Sequence, residues 1–333
     1  MEHRSVRIAA VIAFVLGLLF LPVAGPVRAE SPKSVFTVGV SQDVDSLNPF
    51  VGITAAAYEI WQLVYPTLTQ YGAEDFSIKP GLAESWTESP DKTFWTYKIR
   101  PGLKWSDDVP LTARDAAYTF NRIINGTFEK VNYGNYVTNI TKAEAPDDTT
   151  LILRVAKPSP LMEKLVVYIL PEHVYSKIDE TAIQSFKNEP VDGKPIVGSG
   201  PYLVAERQVG QFIRMVANPN FYRGKPAVDE VVFKFYANPD ALGQALRKGE
   251  IDYADGLEAN VFDSLAGAPN VKRVAAVYPG FNEVSFNTGA QTTDGKPIGD
   301  GNPLLKDKRL REAIGWSLDR KTLLEKVLGG NGS

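Results

Sequence analysis

The chain predicts an α/β protein of two lobes, on three observations. Its 333 residues exceed the roughly 250–300 at which a single hydrophobic core stops growing, so the chain is expected to divide. Its composition, 44% hydrophobic and 23% charged, is that of a soluble globular protein. Finally, Val228 to Tyr236, Pro239 to Gly249 and Ile251 to Tyr253 read as strand, helix and strand. At that spacing they form a βαβ crossover, which makes the sheet at least partly parallel.

The first 29 residues read as an address. Arg4 and Arg7 form a positive start, Ile8 to Phe20 an apolar run, and Val27-Arg28-Ala29 a cleavage site before Glu30. The run is short for a membrane span. A retained anchor helix is the competing reading, because Pro22 and Pro26 end a helix without proving cleavage. Cleavage removes Arg4, Arg7, Arg28 and Glu2, taking the formal charge from -3 to -5. With a sequence pI near 5.6 nothing invites a phosphate backbone, and no nucleic-acid partner is expected. Cysteine is absent, so neither disulfides nor a lipid-modified cysteine are available. An exported protein without a lipid anchor points to the periplasm.

In order, Val35 to Val40 alternates as a strand and Ala55 to Val64 as a helix, with Ala57, Ile60, Trp61 and Val64 on one face. Asp43, Asp45 and Asn48 between them suggest a calcium loop, but the sixth position lacks glycine and the twelfth holds Thr54, not glutamate. Thr67 to Tyr71 is a strand. Ser89-Pro90-Asp91 turns the chain into a strand that places Trp95, Tyr97 and Ile99 on one side, and Pro101-Gly102 stops it. Thr112 with Asp115 three residues on caps a helix carrying Ala116, Phe120 and Ile123. Ile140 to Ala145 and Thr149 to Val155 form a hairpin, and Leu161 to Val167 a short helix. Gly198 and Gly200 are expected to supply positive φ where the chain re-enters a strand at Tyr202. Phe212 to Val216 and Phe281 to Asn287 are further strands, with an exposed glycine-rich loop over 289–303. A helix with Leu310, Ala313, Ile314 and Leu318 follows, and Thr322 is expected to cap a last one.

Several stretches, in this order, resemble one family. Leu82-Ala83-Glu84-Ser85-Trp86 precedes Ser89-x-Asp91, the aromatic strand, Arg100-x-Gly102 and Trp105-x-Asp107. Asp45-Ser46-Leu47-Asn48-Pro49, Gly198-Ser199-Gly200-Pro201-Tyr202 and Asn218 to Pro226 add to it, as do Ala245-Leu246-x-x-Gly249-Glu250-Ile251-Asp252 and Asp307-x-Arg309-x-Arg311-x-Ala313. Together, over 35–328, they resemble the family 5 extracellular solute-binding proteins, the receptors of oligopeptide, dipeptide and nickel ABC importers. The resemblance implies the two-lobed periplasmic-binding-protein fold (type II, class C) with an inserted subdomain in the first lobe. On that layout 1–29 is the signal peptide, 30–56 and 192–278 the first lobe, 57–191 the insert, and 279–333 the start of an incomplete second lobe. Members run well past this point, so weak peptide binding, or none, by this chain alone is expected.

Catalysis finds little support. Beyond residue 29 the sole histidine is His173, no thiol exists, and Ser199 sits in neither a phosphate-cradling loop nor a nucleophile elbow. A metal site and a cofactor are not expected, and no catalytic residue is nominated; an exported hydrolase is the competing class. The resemblance implies capture of a peptide in an interlobe cleft by a monomer that serves membrane permease subunits. An oligosaccharide, an opine or a nickel complex is the alternative solute. Ligand-facing candidates by resemblance are Ile53, Thr54 and Ala55, Tyr136 and Tyr168, and Phe281, Asn282 and Glu283.

Overall fold

The computed structural model describes residues 33–275, 283–292 and 294–330. The expected signal segment, and Phe281 and Asn282, therefore lie outside the described residues. In chain order the elements are β1 (Val35–Val40), α1 (Ala55–Val64), β2 (Thr69–Tyr71), β3 (Ile78–Pro80), β4 (Ala83–Glu88), β5 (Phe94–Ile99), α2 (Ala113–Asn125), α3 (Lys130–Val137), β6 (Ile140–Asp147) and β7 (Thr150–Val155). Two short helices, α4 (Glu172–Tyr175) and α5 (Glu180–Ile183), lead to β8 (Tyr202–Gln208), β9 (Phe212–Ala217), β10 (Glu230–Phe235), α6 (Pro239–Lys248), β11 (Tyr253–Ala254), α7 (Ala259–Ser264) and α8 (Lys308–Ser317).

The main sheet has the order β11-β1-β10-β9-β8. β1 runs parallel to β10 and to β11, with Val38 opposite Phe233 on one side and Tyr253 on the other. The predicted βαβ crossover is therefore β10-α6-β11, with β1 lying between its strands. Asn238 caps α6 through the Ala241 amide, Pro239 opens it, and Gly249 closes it with a left-handed φ of 72°. Leu242, Ala245 and Ile251 bury against this side of the sheet. Gly39 permits that approach, since a Cβ there would lie 2.4 Å from Leu242 and 2.5 Å from Ile251.

The opposite face carries the larger core. Trp61 of α1 is fully buried, and its Nε1 donates to the Leu47 carbonyl at 3.1 Å. The same buried cluster continues into a second, antiparallel sheet of order β4-β5-β7-β6, where Tyr97, Leu151 and Leu153 are closed off by Ala116, Phe120 and Ile123 of α2. The alternation read at Trp95, Tyr97 and Ile99 holds, and Thr112 and Asp115 form the expected capping box. Burial pushes the Asp115 carboxyl up, against donors from Thr112, Glu172 and Trp105.

The chain between β5 and α2 straps the two sheets together. Ser106 N donates to Gly198 O at 2.9 Å, Gly198 N returns to Ser106 Oγ at 3.2 Å, and Asn220 Nδ2 reaches Trp105 O at 3.2 Å. His173 Nε2 hydrogen-bonds Asp107 at 2.8 Å on the same loop.

Four expectations are corrected. Gly198 and Gly200 are absent from the positive-φ glycines among the described residues. They are glycine because α1's end passes over them: a Cβ at Gly198 would sit 2.6 Å from the Val64 carbonyl oxygen, and at Gly200 2.2 Å from that of Leu63. Leu161 to Val167 is a single 3₁₀ turn, Pro160–Lys164, opened by Ser159. Residues 283–287 form no strand, because no described strand pairs with them. The last short helix, Arg320–Thr322, is capped by Asp319, which accepts from Thr322 N at 3.0 Å.

Candidate functional site

Helix α1 has an inner and an outer face. Ala56, Ala57, Ile60, Trp61 and Val64 are buried and Leu63 packs partly against the same core, which leaves Ala55, Tyr58, Glu59 and Gln62 as a ridge at helical spacing. Packing on the inner face fixes the direction of the outer one. Ala55 is exposed at the start of this ridge, and Thr54 caps it, its Oγ1 accepting from Ala57 N at 3.3 Å. Ile53, just before the cap, is 67% exposed, large and apolar.

On the Tyr58 side the ridge meets tyrosines. The Tyr58 ring lies 5.0 Å from Trp61 and 6.5 Å from Tyr168. Tyr168 itself is buried, and its hydroxyl donates to the Tyr58 carbonyl at 3.2 Å. Half-buried Tyr136, on α3, completes the group. Burial, then Tyr136 and Asp45, push the Tyr58 phenol up, and burial and Tyr71 do the same to Tyr136. Tyrosine offers a flat apolar ring and a polar tip, a surface that accepts ligand groups of mixed character.

On the Glu59 side the ridge is acidic. Burial and then Asp255 push the Glu59 carboxyl above its ordinary range, and Tyr253, 47% exposed on β11, is pushed up by burial, Asp255 and Glu59. Neither carboxylate takes part in an ion pair among those of the described residues. A half-buried carboxylate, Glu59, facing the like charge of the exposed Asp255 is relieved by a cation.

The structure thus groups Ile53, Thr54 and Ala55 at one end of the ridge, with Tyr136 and Tyr168 beside it. Glu283 is exposed and accepts from Ser285 Oγ at 2.8 Å. Sequence reasoning missed Tyr58, Glu59, Tyr253 and Asp255. The first two were within reach, being the complement of the buried face already read in α1. The other two needed the sheet order, which places β11 at the edge beside β1. The oxygens weighed for calcium are occupied by backbone donors: Asp43 accepts from Val44 N and Gly210 N, and Asp45 from Ser46 N and Ile53 N.

Comparison with known proteins gives this arrangement its context. The Bacillus subtilis oligopeptide-binding protein AppA, solved with a nonapeptide, superposes with a TM-score of 0.72 at 23% identity, over 91% of this chain and 57% of that one. The fold is that of the periplasmic binding proteins. Residues 77–333 match the family described as bacterial extracellular solute-binding proteins, family 5 Middle, and the chain belongs to that family. A Brucella ovis protein assigned as an ABC transporter peptide-binding protein is 30% identical over 319 residues, 92% of this chain and 56% of its own length. MoaA of A. tumefaciens R10, solved with mannopinic acid, gives 28% identity and a TM-score of 0.62 over 71% of this chain and 48% of that one. The chain thus spans about half the length of these relatives. No described helix is long and apolar enough to cross a membrane.

Proposed function

We propose that the protein is a periplasmic receptor that captures a peptide in a cleft between its lobes and delivers it to the permease subunits of an ABC importer. The observation that carries this reading is the outer ridge of α1: tyrosines on one flank and two ion-pair-free carboxylates on the other, with an apolar residue at its tip. A ligand with apolar side chains and a cationic group matches both flanks, and a peptide has both. The names of the Brucella ovis and Bacillus subtilis relatives agree with it.

On this proposal the protein is exported by a signal peptide cleaved after Ala29 and acts as a monomer without turning its ligand over. Residues 57–191 are an insert in the first lobe (30–56 and 192–278), and 279–333 begin the second. Ile53, Thr54, Ala55 and Tyr136 are ligand contacts, Tyr168 supports Tyr58 from behind, and Phe281, Asn282 and Glu283 line the crossing to the second lobe.

Native mass spectrometry of a full-length homologue purified from its periplasm tests the reading. Copurified masses that fragment as peptides are expected. An opine is the second reading, favoured by the mannopinic acid complex of MoaA, and its mass would displace the first. Consumption of the bound solute in a turnover assay would move the protein to an enzyme class.

A further inference from the structure

We propose that Asp45 is a positioning residue that holds the Ile53–Thr54 edge in its ligand-ready shape; the role in binding rests on the receptor reading above. The Asp45 side chain is exposed, yet it gathers four donors from its own loop. Oδ2 accepts from Ile53 N at 2.7 Å, while Oδ1 accepts from Ser46 N at 3.0 Å, Thr54 N at 3.4 Å and Thr54 Oγ1 at 2.9 Å. Thr54 Oγ1 in turn accepts from Asp45 N at 3.5 Å and Ala57 N at 3.3 Å. The two residues thus form a reciprocal latch that runs from the loop after β1 into the first turn of α1.

Only a carboxylate fits this role. An amide in the same place offers one acceptor oxygen and turns an N–H₂ toward either Ile53 N or the cluster of Thr54 and Ser46 donors. Bonds to a charged acceptor are also the stronger kind. The rest of the loop is tied down independently: Asn132 Nδ2 donates to Pro49 O at 3.1 Å and Gly52 O at 2.6 Å, and Trp61 Nε1 and Asn188 Nδ2 both donate to Leu47 O. Loss of the latch therefore frees the last two residues of the loop and leaves the core in place. Those two residues include the exposed Ile53. A contact edge fixed before the ligand arrives spares the ordering entropy of binding.

The test compares wild type with Asp45→Asn, Thr54→Val and Thr54→Ser by amide hydrogen exchange on the intact chain, alongside its urea midpoint. Exchange at Ile53 and Thr54 is expected to rise ~10-fold in Asp45→Asn and Thr54→Val, the loss of one to two charge-assisted bonds. Thr54→Ser, which keeps the hydroxyl, is expected to behave as wild type, and the midpoint of Asp45→Asn is expected to fall only slightly, with a single cooperative transition retained. Ile53 exchange that is the same in wild type and Asp45→Asn overturns the proposal. The same proteins are then titrated with an equimolar pool of synthetic tri-, penta- and nonapeptides, and a weakening of ~10-fold in Asp45→Asn with Thr54→Ser unaffected is the supporting result. Equal binding by wild type and Asp45→Asn sinks the positioning role. Where neither form binds the pool, as the weak or absent binding expected of this chain alone allows, the exchange data decide the latch by themselves.

Discussion

Helices α1 and α8 are each ten residues long and each begins on a side-chain cap, Thr54 in one and Asp307 in the other. Five residues of α1 are buried, whereas α8 buries none. Both sequences place apolar residues at helical spacing, but only α1 has a sheet beneath it. The contrast extends to the segments around them: every described residue from 283 to 330 is exposed or half-exposed, and Trp316 is 89% exposed. A groove of about 370 Å³ lined by Glu312, Gly315, Trp316, Leu318 and Arg320 lies among these side chains. Local signals, caps and pairs such as Lys308 with Glu312, suffice to write a helix. Stability comes from the face that is covered.

The sharpest way to break this contrast is at its two tryptophans. Trp61→Ala is expected to cost about 3–5 kcal/mol, because it empties a fully buried site and removes one of the two donors to the Leu47 carbonyl, while Trp316→Ala stays within about 0.5 kcal/mol. Urea midpoints of the two variants decide it, and equal losses would show that α8 is covered after all. Next come two glycines. Gly200→Ala drives a methyl into the Leu63 carbonyl and is expected to cost about 1–3 kcal/mol, whereas Gly315→Ala, with nothing within 4 Å, should raise helix content and gain about 0.5–1 kcal/mol locally. Circular dichroism and the midpoint separate the two.

Caps give a smaller effect. Thr112→Ala removes the capping box of a helix packed on a sheet and is expected to lower stability by about 1 kcal/mol, while Asp307→Ala leaves the global midpoint within about 0.5 kcal/mol. The smallest is a charge. Glu59 is raised above its ordinary value in the fold by burial and Asp255, so its protonated form favours folding at low pH and that benefit is lost as pH rises through the raised value. Glu59→Gln should therefore raise the urea midpoint slightly at about pH 7, the effect being reduced by solvent screening, and leave it unchanged at about pH 4. Asp45 has the opposite sign: burial works to raise it but is outweighed by the donors of Ile53, Thr54 and Ser46. Its contribution is present above the ordinary carboxylate value and fades as pH falls below it.

Much of the framework was legible from residues alone. β1, α1, the alternation through Trp95, Tyr97 and Ile99, the Thr112 capping box and the β10-α6-β11 crossover all follow from period, turn chemistry and caps, which act within a few residues. The candidate site was legible in part. Ile53 to Ala55 came from a motif, but Tyr58 and Glu59 stood unread on the outer side of a helix whose inner side had been read. Tyr168 was nominated for its type and place in the family pattern, and the structure puts it under Tyr58, its ring buried.

The chain's own sequence determined most of the strands and helices and the family to which they belong, because those depend on local geometry and ordered motifs. Tertiary structure alone decided three things that depend on what lies opposite. Gly198 and Gly200 are set by the close passage of α1 and not by their own φ. Glu59 is paired with Asp255, nearly two hundred residues on, by β11 joining the edge of the sheet. And α1 became a ridge with a buried back while α8 remained bare, since burial is a property of the neighbour as much as of the pattern.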